Sequence, residues 1–185
     1  MRIIAGERKG FMLRAPSGLK TRPTLGRVRE SLFSILGGRV IDARVADLFA
    51  GAGGLGLEAL SRGAASCTFV DNSRQALDAL RANIAKLRYE EQSRVAAMEV
   101  LRWLHTQAAH PAAFDLVFAD PPYGTPVIAQ CIAAIGNGTL VVPEGLLVFQ
   151  AGVRDALPET AGTLQLVRSE RYGESALHFY QPQEQ

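Results

Sequence analysis

At 185 residues, with 48% apolar and 21% charged side chains, the chain has the size and mixture of one globular domain with a substantial core. Its apolar runs are short and broken by Gly or Pro, which excludes a transmembrane helix, and the start Met1-Arg2-Ile3-Ile4 lacks a secretory segment. Net charge is only +2, yet residues 1–45 hold ten basic and three acidic groups, a local balance of +7, and 17 of the 20 basic side chains are Arg.

That asymmetry divides the chain into a basic N-terminal part, 1–40, packed on a catalytic body, 41–185. Arginine's planar fork suits phosphate oxygens and stacks on bases; the bland counterpart is a solvated basic surface. Cys67 and Cys131 have no CxxC spacing and read as two reduced, packed thiols in a cytosolic protein.

Residues 1–20 alternate apolar pairs with Gly and basic residues, which predicts a β-hairpin or extended arm with turns near 7–10 and 16–18. A helix follows Arg22-Pro23-Thr24, with Val28, Leu32, Ile35 and Leu36 on one face, Thr24 as its cap and Gly37-Gly38 as its end. From residue 44 the pattern repeats strand, turn and helix. Strands are expected at 44–49, 66–70, 94–98, 115–119 and 146–150, with helices at 55–62, 74–88, 101–109 and 127–135. The tail predicts an antiparallel pair, 164–168 with 176–180. The expected fold is α/β and Rossmann-like: a mostly parallel, seven-stranded sheet with a terminal antiparallel strand, plus the N-terminal hairpin. Ligands of such sheets collect at the C-terminal strand ends.

The segment from Asp47 to Gly56 (DLFAGAGGLG) closes the first strand and opens a helix. Gly51-x-Gly53-x-x-Gly56 also matches a dinucleotide fingerprint and is weak alone. Asp47 discriminates. A carboxylate there can accept a hydrogen bond from a methionine amino group, whereas it would repel a pyrophosphate. S-adenosylmethionine carries a sulfonium and no phosphate, so acidic walls suit it. Asp71, with Asn72 beside it, ends the second strand and can bind both ribose hydroxyls. Glu99, followed by Val100, ends the third and either accepts from the adenine amine or stabilises a helix N-terminus. Phe49 and Ala50 flank the glycines and complete the cofactor set, although Leu48, Phe49 and Val70 also suit the sheet core.

Asp120-Pro121-Pro122-Tyr123, after an apolar strand, is the most specific motif. An exocyclic amine on guanine or adenine is a poor nucleophile because its lone pair is delocalised into the ring. The Asp120 carboxylate and the Pro121 carbonyl can accept its two N–H bonds and free that lone pair. Consecutive prolines hold the acceptors in place. Tyr123 offers a face on which a flipped base can stack, worth about 1–3 kcal/mol. His105, His110 and His178 match no metal or triad spacing, and neither cysteine sits in an activated setting.

These motifs resemble the RsmD-type family, which methylates the N2 amino group of a guanine in 16S ribosomal RNA. The likeness covers nearly the whole chain. It runs from Arg2-Ile3-Ile4-Ala5-Gly6 through Arg22-Pro23-Thr24, Arg27-Val28-Arg29-Glu30, Asp47-Leu48-Phe49-Ala50-Gly51 and residues 55–64 to Asp120-Pro121-Pro122-Tyr123 and Tyr172-Gly173. It implies a cytoplasmic, S-adenosylmethionine-dependent enzyme, read here as a monomer without metal. Its substrate would be small-subunit RNA within an assembly particle, met by the basic N-terminal part. Arg2, Arg8, Lys9, Arg14, Arg22, Thr24, Arg27 and Arg29 are the expected RNA contacts, and Arg22 or Thr24 could instead reach the cofactor. Two departures are visible. Members commonly carry Glu where this chain has Asp71, and many carry Phe where it has Tyr123.

Rival readings remain. Amino-nitrogen methyltransferases of adenine N6 in DNA or RNA, or of protein glutamine, share this cofactor half, although 185 residues leave little room for a DNA-recognition region. An NAD oxidoreductase explains the glycines but neither Asp47 nor the double proline. A vestigial RNA-binding module is at odds with acids at three strand ends.

Overall fold

In the computed structural model, residues 1–15, 23–107 and 113–183 are described, the side chains of 23–25 excepted. The expected turn at 16–18 and the side chains of Arg22 and Thr24 lie outside that set, as does His110.

After α1 (Pro23–Leu36) and a short 3-10 turn, the chain alternates β1 (Arg44–Leu48), α2 (Gly56–Ser61), β2 (Ser66–Asp71), α3 (Arg74–Leu87), β3 (Ser93–Ala97), α4 (Val100–Gln107), β4 (Phe114–Ala119), α5 (Val127–Gly136) and β5 (Val141–Gly152). It ends in β6 (Thr160–Ala161), β7 (Leu164–Tyr172) and β8 (Ser175–Pro182). The sheet order is β3-β2-β1-β4-β5-β8-β7-β6, parallel as far as β5 and antiparallel beyond. Central strands are apolar because both faces are covered. One face packs Ile3, Leu13, Leu32, Phe33, Leu57 and Leu80 against Phe69 and Phe118. The other packs Trp103, Leu104, Ile128 and Ile132 against Val117 and Leu147. Cys67 and Cys131 are buried free thiols on the two faces.

Local chemistry sets the boundaries. Ser73 caps α3 by accepting from the Ala76 N–H, Leu77, Leu80, Ile84 and Leu87 face the sheet, and Arg88 ends the helix in a left-handed conformation at φ 60°. Gly37, at φ 53°, stops α1 as expected.

The sheet has eight strands, not seven. The extra one, β6, is two residues long and pairs only with Gln165 and Leu164 of β7, too short to leave an alternating pattern. β5 begins five residues before the expected 146. Its first half contains Pro143-Glu144-Gly145, which reads as a turn but here forms an irregular stretch beside β4, where the register shifts. α2 is shorter than the expected 55–62, and α4 begins one residue before 101.

The N-terminal segment is the hairpin rather than an extended arm. Arg2 bridges Met12, the Ile3 N–H donates to the Phe11 carbonyl at 2.9 Å, and Gly10 N–H returns to Ile3 at 2.9 Å. The hairpin lies flat on the body. Glu58 of α2 accepts from Ile4 N–H (2.8 Å) and Ala5 N–H (3.0 Å), while Asn83 of α3 holds both the N–H (2.7 Å) and the carbonyl (2.9 Å) of Arg14.

Candidate active site

β1 and β4 are adjacent, but the chain continues from them to opposite edges of the sheet. A crevice therefore opens at their C-terminal ends. A cleft of about 170 Å³ lies there, lined by Met1, Arg29, Asp47, Phe49, Ala50, Gly51, Gly54, Leu55, Asp120 and Gln150 among others. Typical whole-ligand pockets exceed about 300 Å³, so this enclosed part takes only a piece of a larger ligand.

The loop after β1 is shaped for close approach. Phe49 sits at φ 61°, a conformation that costs a non-glycine residue of order 1 kcal/mol and that clusters at functional sites. Gly51 follows at φ 56°, and a Cβ built on it would meet nothing within 4 Å. Its requirement for glycine is thus conformational, and the space beside it is open. Gly53 and Gly56, expected at the cofactor, also meet a packing requirement. A Cβ on Gly53 would stand 2.5 Å from Leu80, and one on Gly56 2.4 Å from Phe69, so both let helix and sheet pack closely.

Asp47 is 2% exposed and accepts from the Gly56 N–H at 2.8 Å. Burial pushes its carboxyl up to about 8 against that hydrogen bond, and the charges of Asp120 and Asp71 add to the rise. Asp120 follows β4, takes no hydrogen bond from any described residue, and is pushed by burial to about 7. Two carboxylates in one cleft, each reluctant to ionise, form an environment that a cationic ligand would relieve.

Asp71 is half-buried beside this loop. It accepts from Gly51 N–H and from Ser73 N–H, both at 2.8 Å, so its carboxylate is fixed next to the glycine turn. Asn72 is exposed after it. Glu99 takes the second of its two expected roles. Its oxygens accept from the Leu101 N–H (3.0 Å) and Arg102 N–H (2.8 Å) at the start of α4, where the helix dipole favours an acid. Val100 is buried in the core below it.

The Asp-Pro-Pro-Tyr turn is fastened from both sides. Pro121 is buried, while Pro122 and Tyr123 are exposed. The Tyr123 hydroxyl accepts from the Gln150 amide at 2.7 Å and bonds Ser175 at 3.3 Å. Asp155 accepts from Gly124 N–H (3.1 Å) and Gly152 N–H (2.8 Å), tying the turn to the end of β5. The ring of Tyr123 is therefore held in place while remaining 39% exposed.

Of the expected RNA contacts, Arg2, Lys9, Arg14 and Arg27 are exposed and Arg8 is half-buried, its Nε donating to the Leu87 carbonyl at 2.9 Å. Arg29 departs from the exposed basic surface expected of it. It is 7% exposed and stands 3.8 Å from Glu58, in the wall of the cleft. Sequence reasoning missed Gln150, a buried amide directly after the apolar run 146–149 of β5, and that interruption was its available signal. It also missed Met1 and Asp155, whose roles depend on contacts distant in sequence.

The chain matches the family model described as conserved hypothetical protein 95 over residues 1–181. It is 37% identical over 180 residues to the putative rRNA methyltransferase YlbH of Bacillus subtilis, covering 97% of this chain and 98% of that one. It is 34% identical over 185 residues to the ribosomal RNA small subunit methyltransferase D of Escherichia coli, covering 100% of this chain and 91% of the relative. Among solved structures, the putative methyltransferase yhhF from Escherichia coli superposes with a TM-score of 0.88 at 34% identity, covering 100% and 99% of the two chains.

Proposed function

The chain belongs to the conserved hypothetical protein 95 family, the RsmD family, and from that premise we propose that it transfers a methyl group from S-adenosylmethionine to the N2 amine of a guanine in small-subunit 16S ribosomal RNA. The observation that carries the reading is Asp120: a half-buried carboxylate, unpartnered among the described residues, in one cleft with Asp47 and the Gly51 turn, three residues from an anchored aromatic ring. The residues fit the donor. Gly51 leaves room for close approach, the two acids favour a cation over a phosphate, and Asp71 stands where ribose hydroxyls would find an acceptor.

When bound, S-adenosylmethionine supplies an electrophilic methyl on a sulfonium. Asp47 accepts from the donor's ammonium and Asp71 holds its ribose. Tyr123 stacks on the flipped base, its ring kept in position by Gln150. Asp120 and the Pro121 carbonyl accept the two amine hydrogens and turn the nitrogen lone pair outward. The proton released on transfer has Asp120, held near neutrality, as its nearest acceptor. Preorganised acceptors and in-line positioning supply the acceleration. Exposed Arg2, Lys9, Arg14 and Arg27 contact phosphates of the RNA, in the cytoplasm and within an assembling subunit. Guanine is chosen over adenine on the RsmD resemblance, since both bases present such an amine.

The test is incubation with radiolabelled donor and unmodified 16S RNA or small subunits, followed by nucleoside analysis. Label in N2-methylguanosine is expected, and label in N6-methyladenosine or in protein would overturn the assignment. Asp120→Ala should lower turnover at least 100-fold, the scale on which a lost transition-state acceptor is felt, while donor affinity falls only modestly. Near-normal turnover in that variant would refute the acceptor role.

A further inference from the structure

Arg29 lies in α1, which packs across the sheet, yet its guanidinium reaches the cleft that holds Asp47 and Asp120. A cation of this kind in a buried wall needs a reason. Its Nη2 donates to the Arg2 carbonyl at 2.5 Å, and its Nε, 3.8 Å from Glu58, makes no hydrogen bond to any described residue. Glu58 has little need of it. That carboxylate is already satisfied by Arg62 at 2.8 Å and by the N–H groups of Ile4 and Ala5. Burial pushes the Arg29 guanidinium below its ordinary value; the charge of Glu58 opposes that shift and the charge of Arg62 adds to it. Nη1 has no partner among the described residues and comes within 3.4 Å of where a Cβ on Gly54 would stand, on the turn that opens α2.

We propose that Arg29 binds the α-carboxylate of the donor's methionine moiety. The cleft then reads as a receptor for a zwitterion, with Asp47 facing the ammonium and Arg29 the carboxylate across the Gly51–Leu55 turn. The absence of a side chain on Gly54 keeps the path to Nη1 clear, because a Cβ there would crowd the guanidinium and the Met1 sulfur, 2.9 Å away. The unpartnered Nη1 can donate a charge-assisted hydrogen bond to a carboxylate, while the bond from Nη2 to Arg2 holds the guanidinium in place. The inference rests on the proposed donor and adds the group that recognises its acid end.

Calorimetry with four combinations tests it: wild type and Arg29→Met, each with S-adenosylhomocysteine and with its carboxamide, which keeps the adenosine and the amine but lacks the negative charge. The wild type should prefer the acid about 10- to 100-fold, the range of one charge-assisted contact, and Arg29→Met should bind both alike. Arg29→Lys, which keeps a charge near Glu58 and guards against misfolding of the first variant, should retain a reduced preference. An unchanged preference in Arg29→Met, a full preference in Arg29→Lys, or no preference in the wild type overturns the assignment. Failure of the wild type to bind S-adenosylhomocysteine at all would instead remove the proposed donor.

Discussion

With Asp47 as the proposed acceptor of the donor's ammonium, donor binding becomes a proton-linked event. Its carboxyl, pushed up to about 8, is mostly protonated at pH 6 and half ionised at pH 8. If only the ionised form receives the donor's ammonium, affinity rises about 50-fold between those values and levels off above them. The same shift bears on the free protein, with a definite sign. The folded pKa lies above the unfolded value near 3.8, so between about pH 4 and 8 the folded state holds a proton that the unfolded state has released. Stability of the free protein therefore falls as pH rises through that window, by about 2 kcal/mol from pH 6 to 8 for this group. Asp47→Asn removes both slopes. Calorimetry with S-adenosylhomocysteine in buffers of different ionisation enthalpy should record proton release near pH 7 in the wild type and less in the variant. Denaturant titrations of the two free proteins should diverge with pH. A flat affinity profile in the wild type, or equal slopes in both proteins, would refute a buried, protonated Asp47.

Substitutions at two further positions probe the supports of the site. Glu58→Ala strands the Ile4 and Ala5 N–H groups and leaves Arg29 and Arg62 without their acid, so a loss of at least about 3 kcal/mol in urea unfolding is expected. A loss under about 1 kcal/mol would mean that the hairpin is held by other contacts. Tyr123→Phe keeps the stacking face but frees Gln150 and Ser175, and should cost turnover less than tenfold, whereas Tyr123→Ala should lower kcat/KM about 10- to 100-fold through lost stacking. Equal activity of the two variants in methyl transfer to RNA would remove the ring from the base site.

Much of the fold was legible because its signals are local. The helical spacing of Leu77, Leu80, Ile84 and Leu87, the clustered glycines after β1 and the apolar strand before Asp120 each declare their element within a few residues. β6 escaped because two residues carry no period, and the start of β5 because Pro143 and Gly145 imitate a turn. At the site, Asp47 and Asp120 were readable from motif position, and both stand in the cleft. Gly53, Gly56 and Glu99 carry contacts that spacing does not reveal. Their spacing fits a ligand, and their surroundings add helix packing and a helix start. Arg29 shows the converse. In sequence it is one base in a basic stretch, and only the approach of α1 to the cleft sets it apart.

The hairpin's attachments also order events in time. Ile4 meets Glu58 across 54 positions and Arg14 meets Asn83 across 69. On a ribosome making roughly 5–20 residues per second, the first fifteen residues wait several seconds for the helices that receive them. Throughout that interval Ile3 and Leu13 have nowhere to bury themselves. The wall that Met1 and Arg29 give to the cleft is consequently among the last parts completed, and a nascent chain closes this cleft only after most of the body has emerged.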